Sequence, residues 1–218
     1  MSRIKSAKAF REWWDPDKWD WLNRSDDIAC GYPQFFDIWW DPKRFNWKHA
    51  SYALARCCYY HFPKWWDPTR FNWHAGSAYL AKYCHDYFLE WWDPERFNWD
   101  CGSWTLAQYS HKYFHQWWDP TRYNWHDLKE LVLYCRDYFL QWWDCDRIPQ
   151  EILDRDYRWL TFLLSTFCES YADLWMPCLA RRIPSIRSLV KAILNNWGKV
   201  ARVALTLTLE EGSYGKEN

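Results

Sequence analysis

Glycine and methionine are scarce in this chain of 218 residues, which holds six of the first and two of the second. Long apolar runs are missing as well. The longest, Trp159 to Cys168, is far short of the ~20 residues that a membrane-spanning helix needs. Residues Met1 to Arg11 carry Lys and Arg but no apolar segment followed by small residues, which argues against a secretory leader. The nine cysteines are odd in number, none are spaced Cys-x-x-Cys, and Cys57 and Cys58 are neighbours. Neither a disulfide framework nor a zinc ribbon is expected from that pattern, and a reducing, cytoplasmic setting follows. The glycine-rich dinucleotide and phosphate-binding signatures and the Gly-x-Ser-x-Gly elbow are absent too, so the expectation is a protein that is not an enzyme, without catalytic residues, cofactor or metal.

What the chain has is aromatic mass: 22 Trp, 15 Tyr and 12 Phe. With 49% apolar and 26% charged residues the composition is that of a globular protein. Rings in such number must form much of the core, so most of them are not ligand contacts.

The rings recur with a period. Trp-Trp-Asp begins at Trp13, Trp39, Trp65, Trp91, Trp117 and Trp142, at intervals of 26 residues four times and then 25. With Trp13 and its equivalents at position two, the repeat reads x-W-W-D-P-x-R-F-N-W-x-x-x-S-x-x-L-A-x-Y-C-x-x-Y-F-x, most cleanly over Lys64 to Leu89. The sixth copy has Cys145 in place of Pro and is lengthened, and Trp175 opens a seventh, degenerate copy.

Asp67 followed by Pro68 reads as an N-cap with Pro at the first helical position, which predicts a short helical turn from Pro68 to Phe71. Asn72 can then leave that helix or cap the next. Trp73, Ser77, Leu80, Ala81, Cys84 and Phe88 lie on one face at helical spacing, which predicts a second helix from about His74 to Trp91. Pro33 occupies a helix-interior position in the first copy and points to a break there, and by extension in the other copies.

Stacked copies can bury apolar faces that one copy cannot, so the expected fold is all-α: a right-handed α-solenoid of six to seven 26-residue repeats with capping helices. The expected organisation is a capping helix over residues 1–11, a six-copy array over 12–173, a degenerate repeat and C-terminal capping helix over 174–209, and a disordered tail over 210–218. The layout Phe88, Trp91, Trp92, Asp93, Pro94 resembles short helical repeats of the leucine-rich-variant or HEAT-like kind, in which an apolar residue, two spacers and an apolar pair precede Asp-Pro and a helix. That resemblance covers most of residues 12–173. It implies a superhelical scaffold for other macromolecules and brings no catalytic residue with it.

Three residue sets could carry chemistry. The basic residue at position seven (Lys18, Arg44, Arg70, Arg96, Arg122, Arg147) always follows an acidic one at position four, so pairing is expected rather than a phosphate-binding stripe. Cys58, Cys84, Cys135 and Cys168 share one position with Ser110, a poor metal ligand, and read as small packing residues. His85, His111 and His115 lack the spacing of a metal motif and read as surface histidines.

Charge is uneven although the total is zero: residues 1–11 carry +4, 12–173 carry −8, 174–209 carry +6 and 210–218 carry −2. Arg181, Arg182, Arg187, Lys191 and Arg202 are therefore the candidate contacts for an anionic partner. The favoured reading is a scaffold that binds a protein or peptide along its repeat surface. The alternative is a module that docks on nucleic acid, or on the acidic array of a second copy, through its basic ends.

Overall fold

The structure is a computed structural model that describes residues 4–183. Among them are thirteen α-helices and no strand. The closing helix and tail expected beyond residue 183 lie outside the described residues. The chain divides into two compact bodies that meet in sequence at Tyr113 and Phe114.

The first body holds α1 (Ala7–Trp13), α2 (Trp21–Gly31), α3 (Phe36–Trp39), α4 (Trp47–Cys57), α5 (Phe62–Trp65), α6 (Trp73–Tyr83), α7 (Phe88–Trp91) and α8 (Trp99–Tyr109). Its long helices pack in chain order, α2 on α4, α4 on α6 and α6 on α8. In the second body are α9 (Phe114–Trp117), α10 (Leu128–Tyr134), α11 (Phe139–Trp142), α12 (Gln150–Phe167) and α13 (Ala172–Arg182), with α10 on α12 and α12 on α13. The extra residues of the sixth copy lengthen its long helix to 18 residues, against 11 in α4, α6 and α8.

The third repeat departs from the predicted pair of helices in two places, and both departures have one cause, an indole N–H that takes a backbone carbonyl. The long helix does not run on to Trp91: α6 ends at Tyr83, a 3-10 turn covers His85–Tyr87, and the short helix α7 follows. The Cys84 carbonyl, which continuation of the helix would require, instead accepts from the Tyr87 N–H at 3.0 Å and from the Trp91 indole at 2.9 Å. The same indole bond recurs from Trp39 to Tyr32, Trp65 to Cys58, Trp142 to Cys135 and Trp175 to Cys168, at 2.8–3.1 Å. Pro33 fits because it stands first in the 3-10 turn, where its missing N–H has no acceptor to serve.

The predicted short helix from Pro68 to Phe71 is a single turn closed by Phe71 N–H on the Asp67 carbonyl at 3.0 Å. Here the Pro68 carbonyl, next in the ladder, is taken by the Trp73 indole at 3.1 Å. Asp67 still accepts from the Thr69 N–H at 2.9 Å, so it caps a turn rather than a helix. Asn72 caps α6, its side chain accepting from the Ala75 N–H at 3.3 Å.

Packing follows the same period. Phe36 lies between His61 and Trp40, Phe62 between Tyr87 and Trp66, Phe114 between Tyr138 and Trp118, and Phe139 between Tyr171 and Trp143. In these sandwiches the centroids are 4.5–4.6 Å apart on one side and 5.1–5.2 Å on the other, offset-stacking distances. The Trp at position two, at Trp39, Trp65, Trp91, Trp117, Trp142 and Trp175, is among the largest fully buried side chains.

The disulfide expectation is corrected. Cys30 is bonded to Cys57 and Cys145 to Cys178, with Cα–Cα distances of 5.1 and 6.1 Å. The pairs are invisible to spacing rules because 27 and 33 residues separate them in sequence, while packing sets α2 beside α4 and α13 beside the turn at Cys145. Cys58, Cys84, Cys135 and Cys168 are free and buried. They act as the expected packing residues, with Cys58 Sγ donating to the Ala29 carbonyl at 3.5 Å and Cys84 Sγ to Ala55 at 3.7 Å. Burial pushes the Cys58 and Cys168 thiols up to about 12.

Candidate binding surface

Sorting the repeat positions by what their side chains do leaves one face unassigned. The basic residue at position seven is structural: Arg44, Arg70 and Arg96 each donate to the Pro carbonyl of the preceding repeat at 2.7–2.8 Å and sit 3.4 Å from their own Asp41, Asp67 and Asp93. In the second body Arg147 does the same with Pro120 and Asp144. The serine at position 14 links neighbours. Ser25, Ser51 and Ser77 donate to the carbonyls of Trp21, Trp47 and Trp73 and accept the backbone N–H of Asn46, Asn72 and Asn98 from the following repeat. The asparagine side chains return the bond, Asn46 to the Leu22 carbonyl and Asn98 to that of His74. In copies two to four every residue of this network recurs, whereas Lys129 and Asp154 replace the serine in copies five and six, and Asp20 and Pro149 the asparagine in copies one and six.

The remaining long-helix positions do not recur. In α2, α4, α6 and α8, position 12 is Asn23, His49, Ala75 and Cys101; position 15 is Asp26, Tyr52, Ala78 and Trp104; position 16 is Asp27, Ala53, Tyr79 and Thr105; position 19 is Cys30, Arg56, Lys82 and Gln108. At ~100° per residue these four positions fall within an arc of about 100°, away from the buried Ser, Leu and Ala of positions 14, 17 and 18, and of them only Ala53 and Thr105 at position 16 are themselves buried.

Rings crowd this varying face and the adjoining position 20, which holds Tyr83 and Tyr109. Tyr52 and Tyr79 lie 5.5 Å apart between centroids, Tyr79 and Tyr83 6.3 Å, and Trp104 and Tyr109 6.5 Å. The Tyr52 hydroxyl donates to Asp26 at 3.0 Å, and burial together with that carboxylate raises its pKa. Lys82 lies over the rings of Tyr83 and Tyr109 at 5.3 and 5.6 Å. Between α6 and α8, where Ala78 stands in place of a ring, a groove of about 370 Å³ opens, lined by Tyr79, Tyr83 and Trp104 together with Arg56 and Lys82. Among the described residues neither Arg56 nor Lys82 has a carboxylate within ion-pair distance.

Of the residues expected to meet an anionic partner, Arg181 is paired with Asp146 at 2.8 Å, and Arg182 donates to the Cys145 carbonyl and to Gln150. Arg187, Lys191 and Arg202 lie outside the described residues. His85 and His111 turn Nδ1 to the carbonyls of Lys82 and Gln108, and no group of three His, Cys, Asp or Glu residues is placed to hold a metal among the described residues. No helix among them is long and apolar enough to cross a membrane.

Tyr52, Tyr79, Arg56, Lys82 and Trp104 were not among the residues expected to meet a partner, because no period marks them. The signal lay in the columns that fail to repeat. No family model, curated protein or solved structure matches the chain.

Proposed function

We propose that this chain is a non-enzymatic repeat scaffold that binds a protein or peptide along the varying face of its long helices. One observation carries the reading: in the first body the Ser of position 14, and in copies two to four the Asn of position 9 and the Arg of position 7, recur as joints, whereas residues at positions 12, 15, 16 and 19 share one side of the long helices and differ in charge, size and aromaticity. A stacked array favours recurring joints but puts no such demand on side chains that reach solvent, as those of Tyr52, Tyr79 and Trp104 partly do. Half-exposed Tyr and Trp supply contact area at small entropic cost, as binding hot spots do.

Panning a library of random twelve-residue peptides against the whole protein tests this, beside a Tyr79→Ala, Trp104→Ala variant with an unchanged circular dichroism spectrum. Enrichment on the wild type that the variant loses supports the reading. Equal enrichment on both, or none on either, overturns it.

A further inference from the structure

Resting on the peptide-scaffold reading, we infer that the ligand is an acidic, proline-rich segment in the polyproline II conformation, lying across α4, α6 and α8 with one three-residue turn per repeat. Three features of the face select it.

The first is period. Packed helices lie about 8–10 Å apart, and a polyproline II helix advances ~3.1 Å per residue with three residues per turn, about 9.3 Å. Such a ligand offers the same side to each successive repeat. An extended strand returns to the same side every two residues, about 6.6–6.8 Å, and drifts out of register with the helices after one step.

The second is the surface chemistry. Polyproline segments dock in grooves lined by aromatic rings, between which a pyrrolidine ring fits, and their restricted backbone has little entropy to lose. The groove between α6 and α8 is of this kind, with the rings of Tyr79, Tyr83 and Trp104 around the small side chain of Ala78.

The third is charge. Arg56 and Lys82 occupy the same position in consecutive repeats, so their charges recur with the helix spacing. Neither has an acidic partner within ion-pair distance among the described residues. Acidic side chains three residues apart on a polyproline II segment match that spacing. The ligand pattern is acidic residue, proline, proline, repeated.

Calorimetric titration of the whole protein with (Glu-Pro-Pro)4, with a peptide of four Glu followed by eight Pro, and with (Lys-Pro-Pro)4 tests the inference. Saturable binding of (Glu-Pro-Pro)4, at least tenfold tighter than either of the others, is expected. The Tyr79→Ala, Trp104→Ala variant should lose at least tenfold in affinity for it, and Arg56→Glu with Lys82→Glu should reverse the preference towards (Lys-Pro-Pro)4. Equal binding of the block peptide, no binding of (Glu-Pro-Pro)4, or indifference to the face variants overturns the inference. The peptide library separates this failure from the wider one: selected peptides that depend on Trp104 but lack proline at three-residue spacing overturn the polyproline ligand and leave the scaffold standing, whereas no selected peptide overturns both.

Discussion

An indole N–H can satisfy a buried backbone carbonyl while its ring fills the core beside it, and this chain uses both properties at once. Trp91 ends α6 through the Cys84 carbonyl, and Trp73 ends the Asp67 turn through the Pro68 carbonyl. Asp67 and Asn72 were legible as caps because each precedes a turn or helix that needs an acceptor. The arginine at position seven was legible as paired, since an acidic residue stands three before it. The cap carboxylates also set an acid dependence. Hydrogen bonds from Thr69 and Thr121, the largest causes, lower the pKa values of Asp67 and Asp119 below the usual carboxylate value. A folded-state pKa below the unfolded one adds stability above the unfolded value of ~3.9 and loses it as pH falls through the folded value. The urea midpoint should therefore fall as pH drops below about 4. Asp67→Asn keeps an acceptor for the Thr69 N–H but cannot titrate, so its midpoint should fall less over that interval. A variant that loses as much as the wild type would show that Asp67 contributes nothing to the acid limb.

At the scale of elements, apolar spacing located α6, and the repeat its counterparts, but not where they end. Phe88 and Trp91 continue the apolar face of α6 in sequence, so a period cannot register that the Cys84 carbonyl has been diverted; only the lone Pro33 hinted at the break. The disulfides were hidden for a related reason, since Cys30 and Cys57 become neighbours only once α2 lies beside α4. They lead to a count. Alkylation in denaturant without reductant should modify five cysteines, and after reduction all nine. Under native conditions Cys58, Cys84, Cys135 and Cys168 should resist, because burial both shields them and suppresses the thiolate. Nine modified residues in the unreduced, denatured protein would contradict both bridges.

In the whole molecule the rings divide into two sets with different work. Trp91 and its equivalents join and terminate repeats inside the core, while Tyr52, Tyr79 and Trp104 stand on the face that changes from helix to helix. The first set announces itself by recurrence and the second by its failure to recur, which is why the fold was far more legible than the proposed binding surface. Urea denaturation of Trp91→Phe beside Trp104→Phe tests this division most directly. The first removes an indole bond and part of a buried ring and should cost about 2 kcal/mol or more, while the second should stay within about 0.5 kcal/mol of the wild type. Equal losses, or a larger loss at Trp104, would contradict the separation of joining rings from those of the proposed binding face.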